Sequence, residues 1–257
     1  MSGNTATGLS RGVDVLVALS KEGAARSGGL GVVQIAGLIG QEKSQVSRTL
    51  KTLAGSGLVE RDPDTRGYRL GWRLFSLAAQ AGEQRLLEAA PPVLASLVDE
   101  LGETVHLSVL RGVGVLTVLS ESPPRAIQAE GWVGHTVPAY CSSAGRALLV
   151  DHEREALRSL FAGTEFRRLA PATVSGVDEL AGCVAGARTR GYAIVEEELE
   201  PGLVGAAAPV RDFKGRVAAA LNVSAPAFRY AGKLDAAGRT IKAAADRLSL
   251  VLGHGAA

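Results

Sequence analysis

Short polar and cationic side chains recur on one face of a predicted helix at about 42–54. Successive helical residues are rotated by about 100°, so positions three and four apart share a face. Val46, Leu50 and Leu53 fall on one side of this helix, and Gln45 lies at the edge of the other. The other side carries Ser44, Ser47, Arg48 and Lys51. Hydroxyls and cations in this arrangement could contact base edges and phosphates together.

The solvated face of an ordinary surface helix would show the same stripe, so the flanking elements are needed to choose between the two interpretations. Helical patterns at about 10–19 and 32–39 precede it, and Gly55-Ser56-Gly57 is expected to end it. Three short helices within about fifty residues can cover one small core. This order favours a nucleic-acid-binding helix over a merely solvated one.

A basic hairpin is predicted directly after the third helix. Strand-like segments at 58–61 and 67–70 flank the turn Asp62-Pro63-Asp64-Thr65-Arg66. The helices and hairpin together predict a winged helix-turn-helix that reads DNA. Arg61 and Arg66 of the wing are expected to contact phosphates or the minor groove.

Length and charge indicate two domains of different character. The chain has 257 residues, more than the commonest domain size. Residues 1–82 hold 10 Lys and Arg against 6 Asp and Glu, whereas the remainder holds 18 against 20. The basic part is the part with the predicted DNA reader. No apolar run approaches the ~20 residues of a membrane span, and the first residues lack signal-peptide character, so we expect a cytoplasmic protein without a membrane partner.

Candidate catalytic and metal-binding groups are sparse. Cys141 and Cys183 lack metal-type spacing with any of the four histidines, although Cys141 follows His135 by six positions. The acidic run Glu196–Glu198 shows adjacent acids but no separated acid–base pair. His106 alternates with apolar neighbours and could be half-buried or could face a pocket. We expect no catalytic residue, no metal and no cofactor.

The remainder of the chain predicts an α+β fold. Helical patterns at 71–90 and 93–101 are separated by Pro91-Pro92, and Ser175 is expected to cap a helix that Gly191 ends. Strands joined by short turns imply a largely antiparallel sheet with helices packed on it. The predicted strands are 104–110, 113–119, 131–138, 192–196, 204–210 and 217–224, and the other predicted helices are 142–150, 153–161 and 234–252.

Five segments carry a resemblance to a known family. From about Leu9 to about Leu252, the chain resembles the IclR family of bacterial transcription regulators. The matching segments are Lys43–Arg48, Tyr68-Arg69-Leu70-Gly71, Gly102–Gly112, Pro138–Leu149, and the spaced residues between Gly191 and Asp212.

The resemblance implies an N-terminal winged helix-turn-helix at 1–70, a linker helix at 71–90, and a GAF-like effector-binding and oligomerisation domain at 91–257. Members form dimers, often paired into tetramers, and bind palindromic operator DNA. The implied function is a ligand-responsive regulator, for example a repressor, of a catabolic or metabolic operon. Two alternatives remain: a sequence-tolerant DNA-binding module and, less favoured, an enzyme built on the C-terminal domain.

The resemblance also implies effector-binding positions, all in the C-terminal domain. By position they are Ala126, Ala129, Ser143, Ala144, Val195, Gly205, Asn222 and Ser224. Free backbone N–H groups where a helix begins near Ser143 would favour an anion, and Asn222 and Ser224 share one strand face. A helix cap and two structural strand polars are the alternative interpretation.

Two of these positions depart from the family pattern. Val195 stands where members that bind small keto acids carry an aspartate, and Gly205 stands at a cysteine position. We therefore expect a roomier, less polar pocket. A larger or aromatic organic acid is the predicted effector, rather than an acid of two or three carbons.

Overall fold

A computed structural model describes residues 8–20, 29–124, 132–230 and 232–255, with only the backbone at 75 and 78–83. The chain divides into two compact units, Met1–Glu83 and Gln84–Ala257. Within the described residues, no helix is both long enough and apolar enough to cross a membrane.

The first unit is a winged helix-turn-helix, as predicted. Its core contains Val15, Ile35, Val46 and Leu50, each with no exposed surface, so each of the three helices contributes a buried apolar face. Leu30 forms an isolated antiparallel bridge to Tyr68 beside the hairpin. The elements are α1 (Gly8–Ser20), α2 (Val32–Ile39), α3 (Lys43–Gly55), β1 (Val59–Arg61) and β2 (Tyr68–Leu70).

One long helix, α4 (Trp72–Leu101), spans the boundary between the units. The predicted break at Pro91-Pro92 is wrong, because the helix continues through both prolines. The two missing N–H groups would have bonded to the carbonyls of Leu87 and Glu88. Both residues are exposed, so water can satisfy those carbonyls, while Ala90 and Leu94 stay buried in the core and hold the helix in place.

The second unit is built on a six-stranded antiparallel sheet in the order β5-β4-β3-β8-β7-β6. This confirms the predicted α+β class with a mainly antiparallel sheet. The strands are β3 (Thr104–Arg111), β4 (Gly114–Glu121), β5 (Thr136–Pro138), β6 (Ala193–Glu196), β7 (Leu203–Arg211) and β8 (Val217–Pro226).

Helices cover both faces of this sheet. Leu221 and Val223 of β8 join the core with α4 and the last two helices, whereas Ala220, on the other face, joins the core with the three helices between them in the chain. Strand residues two apart share a face, so each strand supplies both cores. The helices are α5 (Ser143–Leu148), α6 (Arg154–Leu160), α7 (Val177–Arg190), α8 (Ala227–Tyr230) and α9 (Leu234–Val251), and a 3-10 turn, Ala139–Cys141, precedes α5.

Two local predictions need correction. Strand β5 is three residues long, because residues 133–135 form a turn instead of extending it. Helix α7 begins one residue later than a Ser175 cap would require, with Gly176 at the N-cap. The Ser175 N–H and hydroxyl both donate to Glu179, at 2.8 and 3.0 Å, so its polar groups are satisfied outside the cap position.

Candidate functional site

Helix α3 turns its predicted contact face to solvent. Val46 and Leu50 are buried, which fixes the rotation of the helix about its axis. Gln45 is half-buried, so it is less available than its neighbours. The other four predicted contact residues are exposed: Ser44, Ser47, Arg48 and Lys51. A helix with an exposed polar face on a packed three-helix core could enter the major groove of DNA.

Asp62 organises the wing. Its Oδ1 accepts hydrogen bonds from the N–H groups of Asp64 (3.0 Å) and Thr65 (2.9 Å), and from the Thr65 hydroxyl (3.1 Å). These donors, the Thr65 N–H foremost, hold the pKa of Asp62 below its usual range. The Asp62 side chain therefore closes the turn by accepting hydrogen bonds from the backbone N–H groups that follow it, as Asp commonly does in turns.

Arg61 and Arg66 both lie exposed at this hairpin. The Arg61 guanidinium carbon lies 5.4 Å from the centre of the Tyr68 ring, and its Nε donates to the Arg66 carbonyl at 3.4 Å. Sequence reasoning left out Arg69, which is also exposed but forms an ion pair with Glu60 at 3.3 Å. Arg61 and Arg66 thus present cations beside the α3 face within the same unit.

A cavity opens in the second unit between the sheet, the start of α5 and the loop between β6 and β7. It encloses about 530 Å³ of atom-free space, including its mouth to solvent. The predicted effector positions that line it are Ser143, Ala144, Val195, Gly205, Asn222 and Ser224. Ala126 and Ala129 lie outside the described residues. The fold thus brings together six positions from three separate parts of the chain.

The part of the cavity formed by the two central strands, β3 and β8, is polar. His106 and Ser108 of β3 face it, as do Asn222 and Ser224 of β8. The register pairs His106 with Asn222, so these side chains are neighbours across the two strands. The Ser108 hydroxyl donates to the Asn222 amide oxygen at 3.2 Å. Asn222 is thus hydrogen-bonded to another side chain of the cavity. The alternative interpretation expected a polar strand residue hydrogen-bonded to the backbone.

His106 is the most unusual of these groups. It is 3% exposed, and its Nδ1 has no hydrogen-bond partner within the described structure. Burial lowers the pKa of His106 to about 4, so the imidazole is neutral near pH 7. The Trp132 ring lies edge-on to it, with centroids 6.3 Å apart. Of the two possibilities left open for His106, the structure shows the one in which it lines the cavity.

Apolar side chains line the cavity on either side of β3 and β8, from β4 and β5 and from β6, β7 and the loop between them. They are Val115, Val137, Val195, Leu199 and Leu203. Sequence reasoning identified Val195 here but missed Trp132, Thr117 and Ser108 as lining residues. The alternation of β3 already placed His106 and Ser108 on one face, and that signal could have been used. The cavity is therefore suited to a ligand with one apolar end and one polar end.

We expected the missing side chain of Gly205 to enlarge the cavity, but it does not. A Cβ added there would lie 2.8 Å from the Val223 carbonyl oxygen and 3.0 Å from the Ser143 hydroxyl oxygen. Ser143 and the neighbouring strand have taken up the space that a side chain would fill. At this position the prediction of a roomier pocket is wrong, whereas Val195 does make the wall less polar.

The start of α5 is fixed by its own short contacts. The Ser142 hydroxyl accepts from the Gly145 N–H at 3.1 Å, so Ser142 is the helix cap that the alternative interpretation anticipated. A Cβ on Gly145 would lie 2.1 Å from the Ala139 carbonyl oxygen, so only glycine permits this approach to the 3-10 turn. Ser143, one residue after the cap, is left to face the cavity.

Glu197, Glu198 and Cys141 each make structural contacts. Glu198 forms a buried ion pair with Arg146, and the Glu197 carboxylate accepts from the Gly202 N–H at 2.8 Å. The Cys141 thiol donates to the Pro138 carbonyl at 3.8 Å, and burial raises its pKa to about 12. Within the described residues, no group of three His, Cys, Asp or Glu side chains could hold a metal ion.

Comparison with known proteins matches the two parts of the chain separately. The IclR helix-turn-helix domain matches residues 8–63, and the C-terminal domain of bacterial transcriptional regulator IclR matches residues 78–250. The Pca regulon regulatory protein of Pseudomonas putida is 32% identical over 220 residues, covering 85% of this chain and 74% of that protein.

Solved structures agree with this assignment over the whole chain. The IclR transcriptional regulator from Alicyclobacillus acidocaldarius is 25% identical, with a TM-score of 0.61 over 96% of this chain and 98% of the other. An IclR homologue from Microbacterium hydrocarbonoxydans, solved in complex with 4-hydroxybenzoate, is also 25% identical, with a TM-score of 0.59 over 96% and 99% of the two chains. The chain described here belongs to the IclR family of bacterial transcriptional regulators.

Proposed function

We propose that this transcriptional regulator is controlled by an aromatic organic acid that binds in the cavity of the second unit. The observation that carries the proposal is the mixed lining, in which His106 and Asn222 on the two central strands are polar and Val195 and Leu199 are apolar. The homologue solved with 4-hydroxybenzoate supports a ring-bearing acid.

The proposed contact residues follow from this assignment. With valine instead of aspartate at position 195, no acidic side chain there repels the carboxylate of an effector. His106 offers a buried nitrogen without a partner among the described residues. The proposed effector-binding residues remain Ala126, Ala129, Ser143, Ala144, Val195, Gly205, Asn222 and Ser224.

The proposed output is binding to operator DNA. Helix α3 would enter the major groove while the wing reaches backbone or minor groove, because their exposed faces carry the hydroxyls and cations that such contacts need. We propose a homodimer or dimer of dimers on a palindromic operator, since a two-fold pair of readers matches a two-fold site. The proposed DNA contacts are Ser44, Gln45, Ser47, Arg48, Lys51, Arg61 and Arg66.

The proposed domain roles are DNA binding for residues 1–70, a linker helix for 71–90, and effector binding and oligomerisation for 91–257. Helix α4 runs without a break from Trp72 to Leu101, which supports its use as the connection between effector and reader. An effector can change DNA binding only if it binds the two arrangements of the protein with different affinity.

The cellular setting proposed is repression of a catabolic or metabolic operon in the cytoplasm, without catalysis by this protein. The name of the Pseudomonas putida relative, a regulon regulator, supports the first part. The absence of catalysis is supported by the structural contacts of Glu197, Glu198 and Cys141. With these contacts, the three residues do not form a paired acid and base in a cleft.

Calorimetric titration of the full chain tests the effector class. We expect benzoate or 4-hydroxybenzoate to bind more tightly than glyoxylate or pyruvate, and the bound acid to change the affinity for a DNA duplex selected by this protein from a random-sequence pool. Ser143→Phe should abolish acid binding while DNA binding survives. Ser159→Phe, on the exposed surface of α6, is the matched control. Tighter binding of pyruvate or glyoxylate would overturn the proposal.

The same duplex separates a regulator from a sequence-tolerant module. A specific regulator should prefer the selected duplex over a scrambled one by about 10³ or more at fixed salt. Near-equal affinities with a steep salt dependence would favour the module.

A further inference from the structure

The polar side of the cavity contains a buried imidazole with an unfilled hydrogen-bonding position. His106 is 3% exposed, and its Nδ1 has no hydrogen-bond partner within the described structure. Its strand neighbour Asn222 is already bonded to Ser108, so the amide oxygen does not fill that position. An unsatisfied buried nitrogen carries a desolvation cost, and the His106 side chain lines the cavity that a ligand would fill.

The charges around His106 are few. No Lys, Arg, Asp or Glu of the described chain lines the cavity with it. Cys141 lines the cavity but stays protonated, because burial raises its pKa to about 12. The His135 ring contacts the Trp132 ring, with centroids 6.4 Å apart, and is exposed. The Arg146–Glu198 pair, which acts on Cys141, has no net charge.

A carboxylate in this setting would be a buried charge without a cationic partner. Such a charge is costly unless it is paired or neutralised. We propose that His106 shares a proton with the effector's carboxylate, so that each bound effector brings one proton from solvent into the cavity. The proton comes from solvent and forms one N–H or O–H bond within the imidazole–carboxylate pair; no other bond changes. This inference rests on the proposed function, because it requires an acid in this cavity.

The direction of the pH dependence follows from the two states. Without ligand, burial keeps the pKa of His106 at about 4, so the ring carries no extra proton near neutral pH. A nearby carboxylate raises the pKa of an imidazole. At any pH between the two values, the complex holds one more proton than the free protein. Effector affinity should therefore rise as the pH falls, by up to about tenfold per pH unit.

Calorimetry in two buffers of different ionisation enthalpy measures this proton directly. At about pH 6, the full chain titrated with 4-hydroxybenzoate should take up about one proton per site. His106→Gln keeps a hydrogen-bonding side chain but cannot titrate, so its uptake should fall to about zero and its affinity should lose the pH dependence. His135→Gln removes an exposed histidine nearby and should leave both unchanged.

Nitrogen-15 spectra of the imidazoles in the wild-type chain give a second measurement that needs no variant. His106 should be neutral without ligand and should gain a proton when 4-hydroxybenzoate is added. Binding without proton uptake would overturn the inference but leave the effector class intact. Uptake retained in His106→Gln would also overturn it. Failure of both benzoate and 4-hydroxybenzoate to bind would overturn the effector class together with it.

Arg125→Gln, a substitution outside the described residues, tests whether a cation rather than His106 pairs with the carboxylate. If the acid binds without proton uptake, and if Arg125→Gln abolishes that binding, then Arg125 pairs with the carboxylate. That result would overturn the assignment to His106.

Discussion

Arg146 and Glu198 form a buried ion pair that joins helix α5 to the loop between β6 and β7. Their side chains are 4% and 11% exposed. The Arg146 guanidinium also donates to the carbonyls of Tyr140 (3.4 Å) and Ile194 (3.3 Å), and the Glu198 carbonyl accepts from the Thr173 hydroxyl at 2.6 Å. The pair therefore holds together two segments that both line the cavity, through Ser143 and Leu199.

Breaking this pair should destabilise the second unit. Glu198→Ala leaves the Arg146 charge buried without its partner, and we expect a loss of about 3–5 kcal/mol in the free energy of unfolding. Urea denaturation measures it. Glu155→Gln removes an exposed partner of Arg158, which keeps Asp178, and should change stability by less than about 0.5 kcal/mol. Equal effects of the two substitutions would show that the pair at Glu198 is not buried as described.

Gly205→Ala should be destabilising although the residue lies in a cavity wall. The added Cβ would approach the Val223 carbonyl and the Ser143 hydroxyl, and overpacking of this kind costs about 1–3 kcal/mol. Thermal unfolding and acid binding should both suffer. Ser143→Gly in the same chain should restore part of the loss, because it removes one of the two contacts.

Gly182→Ala is the matched control for that substitution. Gly182 lies within α7, is exposed and has nothing within 4 Å of an added Cβ. Alanine should therefore stabilise the helix by about 0.5–1 kcal/mol. If Gly205→Ala were equally harmless, the close approach of α5 to the sheet would be incorrect.

Arg48→Ala should weaken binding to the selected duplex by about 1–3 kcal/mol while effector affinity stays unchanged. Arg48 is exposed on the face of α3 opposite Val46 and Leu50, so the substitution removes no core contact. Gel-shift midpoints measure the change. Arg239→Ala removes the same charge from an exposed site on α9 and should have little effect. An unchanged midpoint for Arg48→Ala would remove this residue from the reader.

Cys141 should react very slowly with thiol reagents. Its pKa, raised by burial to about 12 from 9.0, reduces the thiolate fraction at pH 8 by roughly a thousandfold. In a Cys183→Ser background, alkylation of the native protein should be slow and should become fast in urea. The reverse variant, Cys141→Ser, gives the alkylation rate of the half-buried Cys183 for comparison. Fast labelling of native Cys141 would show that its thiol is far more accessible or acidic than described.

Local pattern was enough for the first unit. The period of Val46, Leu50 and Leu53 identified the buried side of α3, and the turn residues from Asp62 to Arg66 identified the wing, because both depend on contacts between residues close in sequence. The same reasoning failed at Pro91-Pro92. There the burial of Ala90 and Leu94 in the core of the second unit outweighs the two lost backbone hydrogen bonds.

The cavity could be anticipated only in part. Family resemblance indicated Ser143, Val195 and Asn222 by position, but pattern could not show that His106 would face them without a hydrogen-bond partner. That depends on the register between β3 and β8, which pairs residues 116 positions apart. Pairing over such a distance is decided by packing of the whole sheet and not by neighbouring residues.

The amino-acid sequence by itself determined the winged helix-turn-helix, the antiparallel α+β class and the exposed basic face of α3, since each follows from hydrophobic period, turn chemistry and charge along a short stretch of chain. Tertiary structure alone decided that the Ser143 side chain fills the space beside Gly205, that Glu198 is paired with Arg146, and that the His106 imidazole is buried with no partner for its Nδ1 among the described residues. These depend on how distant segments exclude water from one another, and burial changes the behaviour of a polar group far more than its neighbours in sequence do.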